Sequence, residues 1–421
     1  MAKQSVVVVG GGLVGLCSAY FLSEAGYAVE VIEREDEVGL ATSFANAGMM
    51  TPSMSDPWNT PGILGQVLRG MASGHSPLTV RLPALWQYLG WGLRFLRYSA
   101  PERHRVATEA NFRLSAYSVE QVPELRESLA LGYDLGTRGT MRLYRDPASL
   151  AAAADSARHL ARFGLMHEIL DRDGVVGIEP LLEERRDSLA GGILYPGDET
   201  GDAHKFCRGL RAALERRGVG FRLNTVVRSL RREGGRVRGV ELDREMLAAD
   251  AVVVAAAAWS PALLDPLGIR LSIRPVKGYS LTVPLANSEL MPKLSLIDDH
   301  LHAAVTPLGD RIRMAGTAEL AGWDPRLRAE RLQKLWDLAA AVSPAMVAAL
   351  DRDAARAWCG FRPMAADGNP YIGATPIDGL WVNTGQGYLG WTQAVGSGQL
   401  LAQLMRGEEP AIDMQPYRVM R

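Results

Sequence analysis

Hydrophobic and polar positions follow two periods along this chain, and the switches between them mark its elements. Residues 5–9 are an unbroken β-branched run, as in a strand buried on both faces. Residues 16–25 repeat with a helical period and stop at Gly26, a helix C-terminal signal. Residues 27–33 alternate and end on an acid, Glu33. With the glycines of 10–15 between strand and helix, this is a complete βαβ unit. Farther on, helices are predicted over 101–131, 149–163, 204–216 and 326–342, and a last one after Gly387. Strands are predicted over 139–144 and 191–195. Four more, 221–223, 226–230, 237–242 and 251–255, read as a second lobe of the nucleotide-binding part. Segments 271–284 and 301–318 read as antiparallel, and 371–375 and 380–384 as short strands. Residues 49–77 hold several Pro and Gly and read as a long loop with a short helix.

The order of these elements places a βαβ unit first and a strand and helix that return to it last. The expected division is a nucleotide-binding domain of residues 1–60, 190–270 and 350–421, interrupted by a substrate domain of residues 61–189 and 271–349. A length of 421 residues suits two or three domains.

Two stretches bear on membranes. Residues 6–22 carry no charge, but Gly10, Gly11, Gly12 and Gly15 interrupt them where a strand turns into a helix, so no spanning helix is expected. Segment 82–98 is rich in Trp, Tyr and Leu, with Arg81, Arg94 and Arg97 along it. It reads either as a core helix or as a helix lying in a membrane interface. Lys+Arg total 46 and Asp+Glu 47, so the basic excess of a nucleic-acid binder is missing and no such partner is expected. Cys17, Cys207 and Cys359 form no C-x-x-C, which argues against a disulfide framework and a zinc ribbon and suits a reducing compartment. His300 and His302 lack a third ligand, so no metal site is expected.

The chemistry begins at Gly10-x-Gly12-x-x-Gly15, with Leu13 and Val14 inside it. The first glycine permits the turn, the second lets backbone approach a pyrophosphate, and the third lets helix and strand pack closely. The helix start offers free N–H groups to phosphate. Glu33, 23 positions after Gly10 and followed by Arg34, can accept both hydroxyls of a ribose. The fold class is therefore α/β, a Rossmann-like dinucleotide domain with an α+β, mixed-sheet substrate domain inserted. Small and hydroxyl residues over 39–48 suit a long ligand passing close to backbone. A second glycine loop near the C-terminus, Asn383-Thr-Gly-Gln-Gly-Tyr-Leu-Gly-Trp391, leads into a helix. A helix start there can stabilise negative charge on a reduced flavin, which favours FAD over NAD.

These residues bring the chain close to a known group. It resembles the flavin-dependent D-amino acid dehydrogenases, within the wider group holding D-amino acid oxidase, glycine oxidase and sarcosine oxidase. The segments that carry the likeness are Gly10–Gly15, Thr42-Ser-Phe-Ala-Asn-Ala-Gly48, Pro57-Trp58, Pro196–Asp202, Pro275-Val-Lys-Gly-Tyr-Ser280, Gly316-Thr-Ala-Glu319, Gly360-Phe-Arg-Pro-Met364, Asp367-Gly368 and Asn383–Trp391. The resemblance implies FAD and oxidation of a D-amino acid to an imino acid, which water converts to a 2-oxo acid and ammonia. It implies hydride transfer from Cα to flavin N5, with the electrons passed to a quinone or another redox partner. It further implies a cytoplasmic protein, with peripheral attachment to the inner face of the bacterial plasma membrane as an additional expectation. A relative acting on a cyclic secondary amine such as D-proline or hydroxy-D-proline, or an oxidase using oxygen, is the alternative.

Carried over position by position, the resemblance makes Arg362 the grip on the substrate carboxylate. It puts Val227 against the adenine, and Thr42, Ser43, Asn46, Ala47, Gly48 and Met49 beside pyrophosphate and flavin. Ala257 and Gln386 then lie near the flavin, and Trp259, Gly360, Gly385, Gly387, Tyr388, Leu389 and Gly390 join the cofactor-binding set. Tyr279 and Tyr388 are candidates to bond or stack against substrate. Two positions depart from the group's pattern: Gln386 stands where relatives carry His, and Ala257 where they carry Gly.

Overall fold

The computed structural model describes residues 3–65 and 78–421, so part of the 49–77 loop lies outside the described residues. Two large sheets organise the chain. The first has six strands in the order Tyr371–Ala374, Leu380–Thr384, Ala251–Val254, Ser5–Val9, Ala28–Ile32 and Gly220–Arg222. All pair in parallel except Tyr371–Ala374, which is an antiparallel edge. The Val run of Ser5–Val9 sits near the middle, covered on both faces, which explains its lack of alternation.

Helices Leu13–Glu24, Pro101–Ser128, Ala203–Arg216 and Ala394–Arg406 cover one face. They approach closely because small residues line the contacts. A Cβ on Gly398 would lie 2.7 Å from the Cys17 backbone, and one on Gly396 2.8 Å from Ser118. The other face packs beneath a separate antiparallel sheet of Ser229–Glu233, Arg236–Glu241 and Met246–Ala248. The four strands expected to form one lobe therefore divide. Gly220–Arg222 and Ala251–Val254 join the parallel sheet, and the other two do not.

The second large sheet has nine strands. Its path runs Arg356–Ala365, Ile273–Pro284, Arg311–Leu320, Ala303–Leu308, Ser295–Asp298, Thr140–Tyr144, Gly191–Tyr195 and Glu168–Leu170, with Leu78–Val80 added beside Arg311–Leu320. Its reverse face carries helix Ala329–Val342. Three segments sit differently from the expected division. Gly191–Tyr195 and Arg356–Ala365 pair within the nine-stranded sheet. Helix Pro101–Ser128 instead sends Ala110, Leu114, Val122 and Leu125 into the core of the parallel sheet.

Segment 82–98 forms a 3-10 turn, Leu82–Tyr88, running into helix Leu89–Tyr98. No helix among the described residues is long and apolar enough to cross a membrane. Cys17 and Cys207 are buried and free, and Cys359 is free and half-buried.

Candidate active site

The glycine motif does what its spacing predicts. Gly10 holds φ +115°, and a Cβ there would stand 2.6 Å from the Ala255 carbonyl oxygen. A Cβ on Gly15 would stand 1.9 Å from the Gly10 carbonyl oxygen, so only glycine lets the helix sit this close to the strand. Gly12 precedes the helix in extended conformation and offers no side-chain cap. Glu33 ends its strand buried, with Oε2 accepting from Gly11 N at 2.7 Å and Oε1 from Glu35 N at 3.0 Å. Burial raises its pKa above the ordinary carboxylate value, against those two bonds. Arg34 lies 3.8 Å over the Trp259 ring, which stacks on Trp323 at 4.7 Å. Val227 is partly buried against the core on this side.

A cavity of about 960 Å³ begins at Gly12, Leu13 and Val14 and runs between the two sheets to Arg362 and Tyr388. Its walls include two glycine-bearing segments. The first, 42–49, is pinned to the nine-stranded sheet. Thr42 Oγ1 donates to the Phe361 carbonyl (2.8 Å), Ser280 Oγ to that of Ala45 (2.7 Å) and Thr306 Oγ1 to that of Ala47 (2.8 Å). Ser43 Oγ accepts from Leu13 N, Asn46 Oδ1 accepts from Gly48 N, and Met49 Sδ lies 3.1 Å from Ser295 Oγ. The second is the loop after strand Leu380–Thr384, where Gly385 and Gly387 are left-handed. Gln386 is buried and donates from Nε2 to Asn383 Oδ1 at 2.7 Å, so this position holds a neutral amide with its own partner. Leu389 is buried, and Gly390 lines the cavity. Ala257, also at the wall, adopts φ +48°, a conformation that favours glycine.

These features fit a dinucleotide that ends in a flavin. The backbone is bare where a pyrophosphate would lie, an acid sits at the ribose position, and the channel extends far beyond what a mononucleotide fills. Gly12, Leu13, Val14, Thr42, Ser43, Asn46, Ala47, Met49, Ala257, Gly360, Gln386, Gly387, Tyr388 and Gly390 line the cavity. Gly10, Gly15, Glu33, Arg34, Gly48, Val227, Trp259, Gly385 and Leu389 are not among the residues that line it.

The far end is built on the nine-stranded sheet. Arg362 lies on strand Arg356–Ala365, opposite Val276, and its guanidinium crosses the neighbouring strand at Gly278. A Cβ on Gly278 would fall 2.3 Å from Nη1, so that glycine is the space the guanidinium occupies. Nη1 donates to the Thr317 carbonyl at 3.2 Å, and the Trp58 ring lies 5.4 Å away. Among the described residues Arg362 has no carboxylate partner. Burial lowers its pKa to about 10, which leaves it charged at neutral pH.

The two candidate tyrosines differ in what their hydroxyls meet. Strand alternation puts Tyr279 on the opposite face from Gly278, and its hydroxyl donates to Glu319 Oε2 at 2.6 Å. Glu319 is fully buried, bonded by Arg81 and 3.6 Å from Lys277 Nζ. The Tyr279 hydroxyl is thus bonded within an ion cluster, while the residue itself is among those lining the cavity. Tyr388 stacks on Trp58 at 5.5 Å and lines the cavity with its ring. Its hydroxyl lies between the carbonyls of Met54 (2.9 Å) and Asp56, so stacking is the part of the expectation that its position supports. Three residues of this end, Trp58, Gly278 and Thr317, lie in motifs named above but drew no role from sequence. A glycine inside a strand pattern is the signal that a side chain passes close by.

A parallel sheet with a glycine turn, joined by a long channel to a mixed sheet carrying an unpaired arginine, defines a flavin-dependent oxidoreductase fold. A family described as "FAD dependent oxidoreductase" matches residues 5–404, and the chain belongs to it. The chain is 41% identical over 418 residues to a D-amino acid dehydrogenase of Rhizobium johnstonii, covering 99% of this chain and 100% of that one. It is 44% identical to a D-amino acid dehydrogenase of Methylobacterium radiotolerans, covering 97% of each. Among solved structures, glycine oxidase from Geobacillus kaustophilus superposes with a TM-score of 0.79 at 22% identity, over 100% of this chain and 99% of that one, a likeness of fold.

Proposed function

We propose that this chain is an FAD-dependent D-amino acid dehydrogenase that binds its substrate carboxylate at Arg362. The observation that carries the reading is a guanidinium without a carboxylate partner, lining a cavity shared with the dinucleotide motif. A carboxylate there forms a charge-assisted, bidentate pair and completes an unsatisfied charge. FAD, when bound, supplies the acceptor for two electrons and the Cα hydrogen. The chain's own part is to position. Arg362 fixes the carboxylate, Trp58 and Tyr388 form an aromatic wall beside it, and the sheet excludes water from Cα. No base is required if the amino group arrives neutral, and the imino acid then hydrolyses to a 2-oxo acid and ammonia.

The test is anaerobic bleaching of the bound flavin by a panel of D- and L-amino acids. Bleaching by D-forms with ammonia release is expected, and bleaching by L-forms alone would sink the stereochemical assignment. Arg362→Ala should lower kcat/KM at least about 100-fold, the scale of a lost charge-assisted pair.

The electron acceptor is read as a membrane quinone, with the protein seated on an anionic bilayer through segment 82–98. The support is a two-sided helix. Tyr88, Trp91 and Phe95 face inward, Tyr88 Oη donating to the Pro275 carbonyl (2.7 Å) and Trp91 Nε1 to that of Met364 (2.9 Å). Leu85, Trp86, Leu89 and Leu93 face outward, with Trp86 and Leu93 each 72% exposed. Leu85, Leu89, Leu93 and Leu96 also rim the cavity mouth, and Arg94 and Arg97 are exposed without an ion pair among the described residues. One apolar face packed inward and another turned outward is the arrangement that supports this seat. Cosedimentation of the holoenzyme with phosphatidylglycerol vesicles, lost in a Trp86→Ser, Arg94→Glu, Arg97→Glu variant, is the expected result. Wild-type protein that stays in the supernatant would exclude this seat.

A further inference from the structure

Strand Arg311–Leu320 breaks register against strand Ile273–Pro284 at the point nearest Arg362. Lys277 pairs with Glu319, but Tyr279 pairs with Gly316, so Thr317 and Ala318 together oppose the single residue Gly278. This is a β-bulge, a device that re-aims groups beside a site. The bulge puts Thr317 at φ +58°. A β-branched residue is a genuine outlier there, and such strain persists only where the surroundings impose it. Its carbonyl receives Arg362 Nη1. Its side-chain hydroxyl is buried with no hydrogen-bond partner, although the residue borders the same cavity as Arg362. An unpaired buried hydroxyl is costly, and nothing in the strand ladder needs one.

We infer that Thr317 is a second substrate-binding residue, whose Oγ1 donates to the carboxylate held by Arg362. The bulge then performs two tasks with one residue. Its carbonyl sets the guanidinium plane, and its hydroxyl supplies a donor that the arginine cannot reach. The ligand class is a small α-amino or α-oxo carboxylate, so the inference rests on the reading of Arg362 as a carboxylate grip. It explains why a threonine occupies a position where glycine would be unstrained.

The test compares Thr317→Val, Thr317→Gly and Thr317→Ser holoenzymes. Glycine keeps the bulge and removes the strain, so it remains informative if the valine protein folds poorly. The readouts are KM and the limiting rate of flavin reduction for the fastest D-amino acid of the panel, and the Kd of pyruvate by calorimetry. Val and Gly should each raise KM and Kd about tenfold or more, as for a lost hydrogen bond to a charged group, with the limiting rate changed less than about twofold. Ser should restore both constants to near the wild-type values. A glycine variant with wild-type KM and Kd, or a serine variant as weak as glycine, would overturn the assignment. If no D-amino acid reduces the wild-type flavin, the dehydrogenase reading fails by itself, and the pyruvate Kd series still decides the role of Thr317.

Discussion

The two ends of the cavity are built on opposite principles. At the dinucleotide end the working groups are backbone, and the side chains have been removed: Gly10, Gly12 and Gly15 leave no room for a Cβ or need none. At the Arg362 end the working group is one long charged side chain, and the backbone has been reshaped to receive it, by Gly278 beneath and by the bulge at Thr317 beside. The first end tolerates no added atom. The second needs the empty space of Gly278 and presents one charge.

The sharpest way to break this contrast is Gly15→Ala. A methyl placed 1.9 Å from the Gly10 carbonyl oxygen must push helix from strand, so the protein should purify with most of its FAD absent. Flavin absorbance relative to protein absorbance measures it, and a fully yellow variant would show that the close approach is dispensable. A second test separates the two faces of the nine-stranded sheet. Tyr279→Phe removes a hydroxyl from Glu319 on the reverse face, so KM should stay within about twofold. The melting temperature should fall by about 2 °C, since a buried carboxylate loses a donor. A large rise in KM with unchanged Tm would return Tyr279 to the substrate. The smallest effect is expected at Ala257→Gly, which relieves φ +48° at the cavity wall. Stability should rise by about 1 kcal/mol, read as a higher denaturation midpoint.

The same contrast explains what could be read from residues alone. The dinucleotide end was legible because its parts are consecutive: strand, turn, helix, strand and Glu33 all lie within the first 33 residues. FAD followed from adding the 42–49 and 383–391 segments. Arg362 was legible through its motif, but its surroundings were not. Gly278 and the Thr317 carbonyl come from strands far away in sequence, and the register that joins them includes a bulge that alternation cannot predict. The partner of the Tyr279 hydroxyl was hidden for a related reason. Ile273–Pro284 is buried on both sides, so alternation does not show which residues meet the cavity and which meet Glu319. The domain edges at 190 and 350 were misjudged because Gly191–Tyr195 and Arg356–Ala365 have the composition of buried strands, which suits either sheet. The pattern of 82–98 left two readings open because both faces of that helix are apolar.

The connectivity of the parallel sheet has a consequence in time. Ser5–Val9 is made long before its neighbour Ala251–Val254, which is flanked in turn by Leu380–Thr384, and the loop of Gln386–Gly390 at the cavity wall follows later still. A nascent chain leaving the ribosome therefore carries a half-finished nucleotide cradle through most of its synthesis, its earliest strand waiting for its latest. Removal of residues 380–421 should therefore yield not a smaller flavoprotein but a colourless one.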